Sequence, residues 1–389
     1  MYFASERRND AYSSTAPGAN TRKLLPEDAR VHNRALVLRI LHREGEQSRA
    51  DIARATGLAK ITVGELVADL IDDKLVRELG TRGSGQRGKP PTLLEMDKGA
   101  FAIVAIDLSQ PERFRGALLD LGGTILERAE SVASKNTTGA MAVDAVISLI
   151  EDLVARSAVP VIGIGVGTPG IIDSAGLVSK ATNLGWADLD LAGIVSRRFG
   201  AAGYLVNDAD AATLAERAWG GAADDVIVIR VGRGVGAGAI IAGRLVRGSR
   251  YGAGEIGHVV VGTDGGEVCT CGKTGCLETW LSVTTIRRQL ATLAETDEPG
   301  ALAVHQAAGH RLGISLAPIV GMLDVAEIVL SGPADVLTTD MALAVQTTIT
   351  ERTKTADDYT LTVRLSGLGD DGVLRGAAAQ VLESQLGIV

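Results

Sequence analysis

All three cysteines of this 389-residue chain fall within eight positions, Cys269-Thr270-Cys271-Gly272-Lys273-Thr274-Gly275-Cys276, and His258 lies eleven residues before the first of them. Three thiolates and one imidazole satisfy the tetrahedral preference of Zn²⁺, and the interposed glycines let the chain wrap tightly around an ion. A site with four protein ligands has no open position for a catalytic water. The spacing therefore predicts a structural zinc held by His258, Cys269, Cys271 and Cys276. The alternative is three reduced thiols that cluster without a metal.

Elements of two styles must position this loop. From Phe101 onward, apolar strands alternate with helices, as in layered α/β proteins. Strands are expected over 101–108, 114–120, 124–131 and 161–166. A helix is expected over 140–155, with Val143, Val146, Ile147, Ile150 and Val154 on its inner face. The result is a two-lobed sheet protein with a cleft.

The segment before it is built differently. Val31, Leu36, Val37, Ile40 and Leu41 recur at helical spacing up to Gly45. Ser48 is the N-cap of a helix to Thr56, with Asp51 completing a capping box. Gly57 turns the chain into a second helix from about Ala59 to Leu70, with Val63, Leu66, Val67 and Leu70 buried. Two helices joined by a short glycine turn form the arrangement that lays the second helix in a major groove. Arg49, Lys60 and Thr62 are its candidate DNA contacts. A strand over 75–79 leads into a glycine-rich basic turn, a wing whose Arg82, Arg87 and Lys89 suit a minor groove. The competing reading is a three-helix packing unit with a solvated basic linker.

Charge is distributed to match. The net charge is −8, but residues 30–95 carry 12 Lys and Arg against 9 Asp and Glu, while residues 96–389 carry 23 against 34. Phosphate contacts need cations only where DNA is met. Aromatic residues make up 3% of the chain, which argues against base stacking on single strands. No apolar run is long enough to span a bilayer and no secretion signal is evident, so a cytoplasmic protein is expected. The expected division is a disordered tail over 1–29, a winged helix-turn-helix over 30–96, and a sensing domain over 97–389 with its cleft near 207–278.

The Gly254-Glu255-Ile256-Gly257-His258 segment, followed by Cys269-x-Cys271-Gly-x-x-Gly-Cys276-Leu277-Glu278, resembles the signature of the ROK family of repressors, open reading frames and kinases. The likeness extends from about Val31 to the end. Asn207-Asp208-Ala209-Asp210 is similar to the family's sugar-binding and catalytic segment, and Thr168-Pro169-Gly170 and Asn183-Leu184-Gly185-Trp186 to its sugar-side loops. The resemblance implies a sugar-kinase, actin-like (ribonuclease H-like) ATPase-type domain behind a winged helix-turn-helix. It also implies a sugar or sugar phosphate held by Asn183, Asn207, Asp208, Glu255, His258 and Glu278. Such a donor and acceptor set suits a ring of hydroxyls. His258 would serve metal and ligand at once, one ring nitrogen to each.

Catalysis requires further parts. The family's kinases place Asp-x-Gly-Gly-Thr after the first strand, where this chain has Asp107-Leu108-Ser109-Gln110-Pro111. The second loop, 232–238, keeps its glycines but has Arg233 where a threonine is expected. Asp120-Leu121-Gly122-Gly123-Thr124 spells the first motif literally, yet it follows the second strand and reads as a hairpin turn. The expectation is a non-enzymatic, sugar-responsive repressor that reads double-stranded DNA as a homodimer or homotetramer. The alternative is a sugar kinase fused to a DNA-binding module, with Asp208 as base.

Overall fold

Ser48 organises the start of the fold. Its hydroxyl accepts from the Asp51 backbone N–H at 3.2 Å, and the Asp51 carboxylate accepts from the Ser48 N–H at 3.2 Å, completing the capping box. The computed structural model describes residues 26–81, 91–110, 112–134, 136–262, 266–294, 297–354 and 360–388. The first unit comprises α1 (Pro26–Glu44), β1 (Gln47–Ser48), α2 (Arg49–Thr56), α3 (Lys60–Asp72), β2 (Val76–Thr81) and β3 (Thr92–Met96). Gly57, at φ 70°, ends α2 in the left-handed region. Val37, Leu38, Leu41, Ile52, Val63, Leu66, Val67, Leu70 and Leu94 form the core, and the strands pair in the order β1-β3-β2. Val31, part of the apolar spacing that marks α1, is 54% exposed. α1 starts at Pro26, inside the stretch 1–29 expected to be a disordered tail, and residues 1–25 lie outside the described residues. Arg82, Arg87 and Lys89 also lie outside them.

The first lobe contains β4 (Ala102–Asp107), β5 (Arg113–Asp120), β6 (Ile125–Val132), α4 (Ala140–Arg156), β7 (Val161–Thr168), β8 (Ile171–Ile172), β9 (Val178–Ala181), β10 (Trp186–Leu189), α5 (Leu191–Phe199) and β11 (Gly203–Asn207). The remainder comprises α6 (Asp208–Trp219), β12 (Val226–Val231), β13 (Val235–Ile241), β14 (Arg244–Leu245), α7 (Glu278–Leu281), α8 (Val283–Leu290), α9 (Glu298–Leu323), β15 (Glu327–Ser331), α10 (Thr339–Arg352), β16 (Thr362–Leu365) and α11 (Gly372–Leu386).

Two five-stranded sheets repeat one topology. Their orders, β6-β5-β4-β7-β11 and β14-β13-β12-β15-β16, each join an antiparallel meander to two strands added parallel to its first member. The helix expected over 140–155 is present as α4, but its buried stripe is Ala142, Val146, Leu149, Ile150 and Leu153. Val143, Ile147 and Val154 are only partly covered, so the inner face is rotated from the one expected. The Asp120–Thr124 stretch is a hairpin turn: the Asp120 carboxylate accepts from the N–H groups of Gly122 at 2.9 Å and Thr124 at 2.8 Å.

α11 lies behind both the ligand side and the first unit. Ala377, Val381, Leu382 and Ile388 share one apolar core with Val37, Leu38 and Leu41 of α1, and Arg39 Nη2 donates to the Gly387 carbonyl at 2.7 Å. Among the described residues, no helix is long and apolar enough to cross a membrane.

Candidate functional site

Among the described residues, the stretch from Val246 to Leu277 contains only a short 3₁₀ turn, Ile256–His258, and isolated bridges pairing Val260 with Cys276 and Val268 with Thr274. Glycine lets it lie directly on β13. A Cβ at Gly254 would stand 1.8 Å from the Ala237 carbonyl oxygen, and one at Gly257 would stand 2.2 Å from that of Val235. The fold thereby brings His258 back to the cysteines. Its Nδ1 lies 3.5 Å from Cys269 Sγ, Cys271 and Cys276 have their sulfurs 3.6 Å apart, and all four ligand atoms fall within 4.8 Å of one another. Sulfurs around a tetrahedral ion at about 2.3 Å stand about 3.8 Å apart, so the cluster fits a metal with little adjustment.

Proton chemistry at the cluster is uneven. Burial, reinforced by the Glu278 carboxylate 2.8 Å away, pushes the Cys269 thiol up to about 12. The Lys273 backbone N–H draws exposed Cys271 down to about 7. An ion taken up here must displace protons.

The other residues expected at the ligand site fall into separate groups, Glu255 and Glu278 beside His258, Asp208 and Asn207 at the start of α6, and Asn183 on a turn of the first lobe. His258 Nε2 faces Glu255 at 3.9 Å and its Nδ1 faces Glu278 at 3.6 Å, so one ring nitrogen is directed to the cysteines and the other toward the cleft. Asp208 begins α6 at the cleft floor. Burial raises its carboxyl to about 6, with Arg230 opposing the rise and Asp107 adding to it. Asp210 is raised to about 7, again mainly by burial, with Arg247 opposing and Asp208 and Glu255 adding. Asn207 is committed to structure. Its Oδ1 accepts from the N–H groups of Ala209 at 2.8 Å and Asp210 at 3.3 Å, and its Nδ2 donates to the Gly170 carbonyl at 3.0 Å. Asn183 is exposed on the turn Thr182–Leu184 and lines a pocket of about 40 Å³ with Leu108, Ser109, Gln110, Pro169 and Arg233. That volume holds a few waters and not a hexose.

Arg230 was not singled out in the sequence. Its Nη2 reaches Ser109 Oγ at 3.4 Å, crossing from β12 to the loop after β4, where the resemblance places nucleotide phosphates. Asp107, the last residue of β4, is fully buried; its Oδ1 accepts from the Ser109 N–H at 2.8 Å, and Arg115 lies 3.9 Å from its Oδ2. The available signal was an arginine inside the apolar run Val226-Ile-Val-Ile-Arg230-Val231. Arg247, which opposes the rise of Asp210, donates to Gln380 of α11 at 3.2 Å and was likewise missed.

Of the expected DNA contacts, Lys60 opens α3, is exposed and has no ion-pair partner among the described residues. Thr62 is half-buried. Arg49 is paired with Glu78 at 2.8 Å.

The two sheets of one topology, with a carboxylate-lined floor between them, define the class: α/β proteins with sugar-kinase-like sheets. A glucokinase from Streptomyces griseus, solved with glucose and AMPPNP, superposes with a TM-score of 0.62 at 23% identity, over 71% of this chain and 98% of its own. A solved ROK family transcriptional regulator, homologous to the Escherichia coli MLC protein, superposes with a TM-score of 0.80 at 23% identity, over 92% and 98%. At these identities the likeness shows the fold. The xylose repressor of Caldicellulosiruptor bescii is 28% identical over 390 aligned residues, spanning 91% of this chain and 96% of that protein. A sequence profile of the ROK family matches residues 103–384, and the chain belongs to the ROK family.

Proposed function

We propose that the chain is a sugar-responsive transcriptional repressor of carbohydrate genes, with residues 30–96 reading DNA as a winged helix-turn-helix and residues 97–389 sensing the sugar. The observation that carries this is coverage. The match to the xylose repressor leaves less than a tenth of this chain unaligned, too little to skip the N-terminal unit, whereas the glucokinase match covers 71%.

Helix ends support the DNA reading. α2 is sealed by its own capping box, while α3 begins at Ala59 without a side-chain cap. The free N–H groups of α3, next to unpaired Lys60, suit a phosphate. Lys60 and Thr62 are the contacts on this helix, Arg82, Arg87 and Lys89 those of the wing, and Arg49 contributes once released from Glu78. Such a reader works in the cytoplasm as a homodimer or homotetramer on symmetric half-sites.

In the cleft, Asp208, Glu255, His258, Glu278 and Asn183 hold the sugar, with the remaining amide valence of Asn207. A structural Zn²⁺ on His258, Cys269, Cys271 and Cys276 fixes the loop that presents His258 and Glu278. Sugar draws the lobes together, and the shift passes through packed elements. Asp208 starts α6, which meets α11 so closely that a Cβ at Gly376 would stand 1.8 Å from the Ala211 carbonyl oxygen; α11 ends on α1 at the bond from Arg39 to Gly387. DNA affinity changes because sugar binds one arrangement better than the other.

A second reading, a kinase with an added DNA-reading unit, is favoured by one observation: Asp208 at about 6 is placed as a general base would be. Against it, Arg230 spans the phosphate path to Ser109.

The test is fluorescence anisotropy of the full chain on DNA from upstream of its own gene, across a panel of sugars and sugar phosphates, with Mg-ATP turnover measured alongside. Salt-sensitive binding altered by one sugar, without ATP consumption, is expected. Sugar-dependent ATP consumption without DNA binding would instead establish the kinase.

A further inference from the structure

Ile61, in the first turn of α3, is 75% exposed, whereas the other large apolar residues exposed in the N-terminal unit, among the described residues, are Val31 at 54% and Leu79 at 41%. A β-branched apolar side chain in water at a helix start gains nothing from packing and little from helix propensity. Its face explains its use. Residues 61, 64, 65 and 68 share one side of the helix, and three of them, Gly64, Glu65 and Ala68, are small or acidic. A Cβ at Gly64 would meet nothing within 4 Å. The face therefore carries none of the Arg, Asn or Gln forks that read guanine or adenine, and its small residues let the backbone approach a groove floor closely.

We infer that Ile61 reads the 5-methyl group of a thymine in the major groove, so that this protein selects its sites through an apolar contact. The inference rests on the DNA-reading assignment of α3 made above. Unpaired Lys60 beside it provides the charge that holds the helix start against the phosphates. Among the four bases only thymine offers a methyl group on the major-groove edge, and the others present polar groups that an isoleucine would strip of water without replacement. Glu65, one turn further, accepts from the amino group of a cytosine and repels phosphates, fixing where along the helix the groove is entered.

The experiment uses the full chain and a random-sequence duplex pool. Enriched duplexes are remade with deoxyuridine replacing each thymine in turn, which removes one methyl and nothing else. Wild type, Ile61→Val and Ile61→Ala are titrated at one salt concentration. Deoxyuridine at one thymine per half-site should weaken wild type about fourfold, the worth of one buried methyl, leave Ile61→Val nearly as sensitive, and have no effect on Ile61→Ala. Equal sensitivity in wild type and Ile61→Ala, or no sensitive thymine, overturns the inference while leaving DNA reading intact. An Ile61→Ala chain that sediments differently but keeps its base preference also overturns it, assigning the side chain to contact between copies. A pool from which nothing is enriched refutes the DNA reading itself.

Discussion

The two lobes repeat one strand order but are stiffened by different means. Between its fourth and fifth strands the first lobe inserts the small β8–β10 sheet and α5, tied down by ordinary bonds such as the 2.9 Å donation from Trp186 Nε1 to the Gly139 carbonyl. The second lobe inserts the long irregular stretch from Val246 to Leu277 after β14, which is held by close contact with β13 and by scattered backbone bonds such as that from Val261 N–H to the Gly275 carbonyl at 2.9 Å, and which carries the four-ligand cluster. Long loops without regular structure are uncommon unless they serve a function. The insert without regular strands or long helices is therefore the one that brings His258 and Glu278 to the cysteines, where an ion, once bound, would add its constraint to the backbone bonds.

The comparison is most exposed at Cys276. Cys276→Ser should reduce bound zinc from about one per chain to near zero, lower the melting temperature by about 10 °C and abolish the sugar response, leaving DNA binding without sugar intact. Metal analysis, thermal melts and anisotropy check this; an unchanged melt in the variant and in chelator-treated protein would show that the second lobe holds without an ion.

At the floor shared by both lobes, Asp208→Asn should weaken sugar binding about tenfold at pH 7.5, since a charge-assisted acceptor is lost. In wild type, calorimetric affinity should fall as pH drops through about 6, where Asp208 takes up a proton, and the variant should be flat there. Stability runs the other way. The folded chain keeps this proton up to about 6, whereas an ordinary aspartate loses it at 3.8, so this stabilising contribution is present below 3.8 and is lost as pH rises through 6. Asp208→Asn should accordingly raise the melting temperature at pH 8 and leave it unchanged at pH 3.5.

The smallest effect belongs to the first lobe. Trp186→Phe removes one bond of an insert held by many, and should cost about 1 kcal/mol, or about 3 °C, without changing zinc content or sugar affinity. A loss as large as that of Cys276→Ser would erase the distinction between the lobes.

The sequence was most legible where chemistry is local. Ser48 and Asp51 announce their capping box through spacing alone, the cysteines through their crowding, and Asp120 to Thr124 through its place between two strands. It was least legible where a residue acts across distance. Nothing near Arg230 shows that its side chain meets Ser109, because the partner is supplied by the other lobe. The face of α4 was misjudged because β-branched residues mark apolar character without fixing which side meets the sheet; Leu149 and Leu153 reach further inward. The repeated strand order leaves no short period in the chain, since the two inserts differ in length and content. Asn207 was given to the ligand on its motif, and its geometry shows most of that amide capping α6.

The bond between Arg39 and Gly387 joins residues 348 positions apart. At ribosomal speeds of about 5–20 residues per second, about 20–70 s separate the appearance of the first from that of the second. The N-terminal unit is thus made well before the helix that underpins it. During that interval its apolar underside is uncovered, so the nascent chain is the state most in need of chaperones, and slow codons between the two would prolong the exposure.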